Sequence, residues 1–165
     1  MMRITTYTTR MNKDNLTVLV KEKAVNYSEC ESLNSPKKIA KMMCDVFKLH
    51  LSAEEYVYLL ALNCKCRVLG IFEVAHGSVN ECPLSTRELM MRNLLCGASS
   101  FIVVHNHPSG SLDLSKEDVE TTTRLCEASK LMGITMLDHI VIARAEEGRE
   151  EYAYFSMKDH GLMQK

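Results

Sequence analysis

The chain has 165 residues, with 20 Lys and Arg against 21 Asp and Glu for a net charge of -1, and it is 46% hydrophobic and 25% charged. Those values describe one globular domain, residues 1–165, with enough apolar material for a sizeable core, and they exclude a disordered or low-complexity chain. The balanced charge offers no global basic face, so a nucleic-acid partner has no support from charge. No apolar run reaches the length of a membrane span and Met1 opens no signal-peptide pattern, so a cytoplasmic protein without membrane association is expected.

Taken in chain order, the residues before Ser35 read as a polar stretch plus one strand, Leu16 to Val25, at a sheet edge. Ser35-Pro36 is a helix start, an N-cap followed by an N1 proline, and Ile39, Met42, Met43, Val46 and Phe47 then form one apolar face. Tyr56–Leu62 and Arg67–Ala75 read as paired strands joined by Asn63-Cys-Lys-Cys66. Ser85-x-x-Glu88 is a capping box for a helix through Leu95, with Leu89, Met90, Met91, Leu94 and Leu95 as core residues. Phe101–His105 is a short buried strand. Ser115–Met132 is a helix closed by Gly133. Ile134–Ala143 and Tyr152–Ser156 pair across an acidic tip, Glu146 to Glu151, that reads as a solvated turn.

The seven cysteines are odd in number and lack the paired C-x-x-C spacing of a structural zinc site. Reduced thiols are expected, most of them small core residues. His50, His76 and His160 carry no spacing argument and are expected at the surface. A zinc deaminase would need His-x-Glu and Pro-Cys-x-x-Cys, and neither is present.

The most informative segment runs from His105 to Asp118. His105 and His107 stand at i, i+2 on an extended segment, so both imidazoles point to one side. A turn at Pro108-Ser109-Gly110 follows, and Asp118 falls on the first turn of the next helix. Two neutral imidazoles and a carboxylate suit Zn²⁺ with a fourth position left for water, the mark of a catalytic site. Ser115-x-x-Asp118 is equally the signature of a helix start, and capping does not exclude metal binding. Asp113 reads as a solvated turn residue. Glu117 lies about 100° around the helix from Asp118 and cannot easily share its metal.

His105-x-His107-Pro108, six residues, then Ser115-x-x-Asp118 resembles the metal motif of the JAB/MPN+ (JAMM) metalloproteases. His-Asn-His-Pro-Ser-Gly resembles the RadC branch of that superfamily in particular. Leu137-Asp138-His139-Ile-Val-Ile142 and Pro83-Leu-Ser-Thr-Arg87-Glu88 resemble further segments of the same branch, so the likeness runs from roughly Ser35 to Gly161. It implies an α/β fold of the cytidine-deaminase-like type, a curved mixed sheet flanked by helices. It implies Zn²⁺ held by His105, His107 and Asp118, and a water activated by a glutamate from an earlier strand. Glu55, which opens the run Glu55-Tyr-Val-Tyr-Leu-Leu-Ala-Leu62, is the candidate general base. Glu54 is the alternative, since a one-residue slip of register would turn the other carboxylate inward. Ser115 is the candidate donor to the developing oxyanion. The resemblance places His139 near the site, as support for the metal ligands.

The implied function is a zinc metallopeptidase acting on an amide or isopeptide bond of a peptide or protein substrate that the resemblance does not identify. The alternative is a DNA-associated module, in repair, recombination or mobile-element biology, with the metal in a nuclease or structural role. RadC-type proteins carry an N-terminal helix-hairpin-helix region associated with DNA, and the residues before Ser35 show no such pattern.

Overall fold

The computed structural model describes residues 1–30, 32–77, 84–146 and 151–163. Its frame is a seven-stranded mixed sheet in the order β2-β1-β4-β3-β5-β6-β7. The strands are β1 (Met2–Met11), β2 (Thr17–Tyr27), β3 (Glu55–Leu62), β4 (Val68–Gly77), β5 (Ser100–His107), β6 (Thr135–Arg144) and β7 (Tyr152–Ser156). The helices are α1 (Pro36–Phe47), α2 (Thr86–Leu95) and α3 (Lys116–Met132), with a 3₁₀ turn at Leu49–Leu51. The class is α/β, as expected.

Strand alternation divides the core into two layers. Tyr58, Leu60 and Leu62 of β3, Ile102 and Val104 of β5, and Ile140 and Ile142 of β6 pack with Ile39, Met42 and Met43 of α1. Val57, Leu59 and Ala61, with Phe101 and Val103, face the other way onto Leu89 and Met90 of α2 and Leu125 and Cys126 of α3. The central strands are therefore apolar on both faces. His105 and His107 continue the Phe101–Val103 row, so they emerge on the α3 side of the sheet.

Helix ends follow their local sequence. Ser35 and Ser85 accept the N–H of Lys38 and Glu88, and Pro36 occupies the first turn of α1. Gly133 closes α3 at φ 66°, a left-handed conformation that costs glycine little. The apolar face read for α1 holds: Ile39, Met42 and Met43 are buried. In α2 it holds only in part, because burial stops at Asn93 and the last turn leaves Leu94 and Leu95 exposed. Helical period identifies a face but not where the sheet beneath it ends.

The largest departure lies before Ser35. The stretch that reads as polar is β1, which pairs antiparallel with β2 and parallel with β4 through Thr6↔Ile71. It is rich in Thr with Tyr7, residues that favour strands, but it shows little apolar alternation because only Ile4 in it is buried. The turn is built by Asn12, whose Oδ1 accepts the N–H groups of Asp14 and Leu16. The other strands appear within a few residues of their expected limits, and the acidic tip falls largely outside the described residues. Of the cysteines, Cys44 and Cys126 are buried and Cys64 and Cys66 are exposed on the β3–β4 turn; all six described are free thiols, and Cys82 lies outside the described residues. His50 is buried rather than superficial, at 7% exposure, with its ring 5.9 Å from that of Tyr152.

Phe101 is fully buried beneath α2 and α3. Phe101→Ala is expected to cost about 3–5 kcal/mol, read as a lower urea midpoint at unchanged m-value.

Candidate metal centre

β5 delivers two imidazoles to one face at its C-terminal end. His105 is 1% exposed, and His107 is half-buried. The chain then turns, with the Gly110 N–H donating to the His107 carbonyl at 3.1 Å. Gly110 sits at φ 83°, where any other side chain would be strained. The turn returns the Ser111 carbonyl to His107 Nδ1 at 2.9 Å. That acceptor fixes the hydrogen on Nδ1 and leaves the Nε2 lone pair free.

α3 brings the carboxylate. Ser115 is its N-cap and Asp118 its N3 residue, and the capping box is complete in both directions. Ser115 Oγ accepts the Asp118 N–H at 3.0 Å, and Asp118 Oδ2 accepts the Ser115 N–H at 2.8 Å. The Ser115 hydroxyl also donates to Asp118 Oδ2 at 2.7 Å. The same carboxylate faces both histidines, with Oδ1 3.2 Å from His105 Nε2 and Oδ2 3.4 Å from His107 Nε2. The cap that starts the helix therefore also sets the carboxylate against the two imidazoles.

His105 is oriented from behind. Its Nδ1 is 2.8 Å from His139 Nε2, and His139 Nδ1 is 2.6 Å from Thr122 Oγ1. The Thr122 hydroxyl has one hydrogen, donated to the Asp118 carbonyl at 2.7 Å. Thr122 therefore accepts from His139 Nδ1–H, His139 accepts at Nε2 from His105 Nδ1–H, and His105 presents a bare Nε2. The chain of donors has one consistent direction, assigned from the network.

Two imidazoles held in this way aim lone pairs at each other across 3.0 Å between the Nε2 atoms. That contact is repulsive unless a metal ion or a proton is shared at these nitrogens. The three spacings, 3.0, 3.2 and 3.4 Å, match the edge of about 3.3 Å that a tetrahedron with metal–ligand bonds of about 2.0–2.1 Å would have. His105, His107 and Asp118 are a set that could hold a metal ion.

The electrostatics agree. Without a metal, hydrogens on the Nε2 atoms take its place: burial pushes the Asp118 carboxyl up, but hydrogen bonds from His105 and His107 in that form, and from Ser115, outweigh it and hold the group far below the usual carboxylate range. Burial pulls His107 down, yet Asp118 and the Ser111 carbonyl leave it above an ordinary histidine. Burial, with His105 beside it, keeps His139 well below 6.5 and neutral, as its accepting role requires.

The two glutamates separate clearly. The Glu54 carboxylate is bound to His76 and faces the Tyr56 hydroxyl, away from the cluster. The Glu55 carboxyl is raised, chiefly by burial, and it feels His105, Asp118 and His107. The Val57↔His105 pairing explains why: Glu55 lies on the same face as Val57, and extending the register by two residues sets it across from His107. Asp113 is exposed and bonds Ser111, and Glu117 is an exposed residue of the first turn outside the cluster. His76 and His160 are exposed, as expected. From the sequence Thr122 has no assigned role, and Asn106 figures there only as a position of the His-Asn-His-Pro-Ser-Gly motif. A threonine four residues past Asp118, on the same helix face, is a signal that could have pointed to the first.

An α/β sheet carrying His-x-His at a strand end and Asp at a helix start defines a JAB-type metal-site architecture. Residues 33–162 match the family described as RadC-like JAB domain, and the chain belongs to that family. It is 37% identical over 141 residues to a UPF0758 protein of Clostridium acetobutylicum, covering 86% of this chain and 58% of the relative. A UPF0758 protein of Staphylococcus haemolyticus is 35% identical over 142 residues, covering 82% of this chain and 59% of the relative. One of Finegoldia magna is 38% identical over 112 residues, covering 68% and 49%. The chain thus spans about half to three-fifths of the length of these relatives. No helix among the described residues is long and apolar enough to cross a membrane.

Two outcomes follow for the isolated protein. Thr122→Val or His139→Phe frees the His105 ring and should weaken metal binding about 10–100-fold, read by competition with a chromophoric chelator. In metal-free protein, the lowered Asp118 contributes stability above about pH 4 that is lost as pH falls toward its folded pKa. The raised His107 contributes stability below about pH 6.5 that is lost as pH rises through its folded pKa. Urea unfolding should therefore show the pair's contribution greatest between those limits, and Asp118→Asn should flatten both flanks.

Proposed function

We propose that this chain is a zinc-dependent hydrolase that cleaves an amide or isopeptide bond in a peptide or protein substrate. One observation carries the proposal: two imidazole lone pairs and a carboxylate converge beside a second carboxyl, Glu55, that is partly buried and raised in pKa. Three protein ligands leave a coordination position for water, whereas a structural zinc site is usually closed by a fourth protein ligand. Zinc is favoured over harder ions because two of the three donors are imidazole nitrogens. Bound there, zinc supplies a Lewis acid that brings the pKa of water down to about 7 and polarises a carbonyl.

The protein's own groups do the remaining work. Glu55 takes a proton as water attacks the carbonyl carbon, then delivers it to the amine nitrogen as the C–N bond breaks. Its raised pKa brings donor and acceptor forms closer in energy near neutral pH, which suits a group that must serve both roles. Ser115 donates to the oxyanion. Its hydroxyl hydrogen now rests on Asp118 Oδ2 but is free to swing, because the Ser115 N–H holds the same oxygen. Loss of such a donor costs about 10²–10³ in rate. Asp118 and the Thr122–His139 chain keep the two imidazoles aligned.

The test is elemental analysis of four purified proteins. Wild type and Glu55→Gln should hold one zinc per chain, while His107→Ala and Asp118→Ala should lose it. Peptide and isopeptide libraries should then be cleaved by wild type and not by Glu55→Gln. Zinc retained in His107→Ala would remove the site assignment. Duplex DNA binding at physiological salt without any cleavage of peptides would favour a DNA-associated role instead.

A further inference from the structure

Asn106 stands between the two histidines, and alternation along β5 turns its side chain away from the metal face. It is 1% exposed. Its Oδ1 accepts the Tyr56 N–H at 2.8 Å, and its Nδ2 donates to the Glu54 carbonyl at 3.0 Å. These two backbone groups belong to the peptide planes immediately before and after the Glu55 Cα. The backbone pairing of β3 with β5 runs only from Val57↔His105 to Leu62↔Ser100. Beyond Val57, therefore, β3 is held on its β5 side by a side chain where a strand would continue the ladder.

We propose that Asn106 is a positioning residue for Glu55: by pinning both peptide planes that flank it, the carboxamide fixes which way the Glu55 side chain leaves the strand. Pinning the two planes sets φ and ψ at Glu55 and hence the direction of its Cα–Cβ bond. A strand whose first residues are free to rotate or slip would present Glu54 in place of Glu55, since neighbouring side chains alternate in face. The chemistry is specific to a carboxamide of this length. It offers an acceptor and a donor side by side, and only one orientation of the amide satisfies both partners. Aspartate keeps the acceptor but cannot donate to the Glu54 carbonyl, and alanine supplies neither. The same tripeptide that carries the two histidines thus also aims the base. His-Asn-His acts as one unit, with two side chains on the metal side and one bracing the neighbouring strand.

This inference rests on Glu55 acting as the general base, and its test separates the two claims. Amide hydrogen exchange is measured on metal-free wild type, Asn106→Ala and Asn106→Asp. The Tyr56 amide should exchange at least tenfold faster in Asn106→Ala, with the Leu59 and Leu60 amides unchanged and most of the protection kept in Asn106→Asp. With Co²⁺ as the probe ion, paramagnetic relaxation of the Glu55 carboxyl carbon should weaken in Asn106→Ala, while metal stoichiometry stays at one per chain. On any peptide that wild type cleaves, kcat should fall at least tenfold with KM within twofold. Unchanged Tyr56 exchange, or unchanged relaxation at Glu55, would overturn the positioning role, as would loss of the metal together with the clamp. If exchange and relaxation respond but wild type cleaves no peptide, the clamp stands and the hydrolase proposal falls.

Discussion

The Asp118 carboxylate is where the helix start, the strand end and the two imidazoles are joined. As the N3 residue of α3 it accepts the Ser115 N–H, so its orientation is tied to the first turn of the helix. Its two oxygens also face the two imidazole Nε2 atoms from β5. A carboxylate at a helix N-terminus is favoured by the free N–H groups and the helix dipole, and these stabilise the charged form that a cation requires. One local motif therefore supplies the negative charge, aims it and keeps it ionised. If α3 began one residue later, the carboxylate would turn by about 100° and the three donors would no longer meet.

Behind that meeting point lies a buried polar layer with no slack. Thr122, His139 and His105 form a donor chain that begins at a carbonyl of α3 and ends at a bare imidazole nitrogen. His139 is itself set by β6, whose Asp138 carboxylate accepts the His139 N–H, the Lys158 N–H and the Ser156 hydroxyl. Three consecutive elements of the sheet, β5, β6 and β7, thereby share responsibility for one ring orientation. Such networks specify a single arrangement because a buried polar group left without a partner costs about 1–3 kcal/mol. Glu55 completes the constellation from β3, with Asn106 spanning the gap where the backbone ladder stops.

Much of this was legible in the chain. His105, His107 and Asp118 are visible because strand alternation and helix capping are local rules, each spanning a few residues. The helices α1, α2 and α3 announce themselves through Ser35-Pro36, Ser85 and Ser115, and α3 ends at Gly133 for the same kind of reason. β1 is built largely of threonines and half-buried positions, so it lacks the apolar alternation that marks a strand and takes its place by pairing with β2 and β4. Leu94 and Leu95 look like core, yet the packed face of α2 ends before them. His50 looked superficial and is enclosed beside Tyr152.

The sequence by itself determined the donor set, the helix caps and the two-faced apolar strands, because each depends on neighbours within one turn or one pleat. Only the tertiary structure decided which glutamate faces the two imidazoles and Asp118, since that depends on the register of β3 against β5, fifty residues apart in the chain. It also decided that Thr122 and His139 are one hydrogen-bonded chain and that Asn106 reaches across to β3. Those assignments rest on distances of about 3 Å between residues remote in sequence, and no local periodicity encodes which remote partner a buried donor will find.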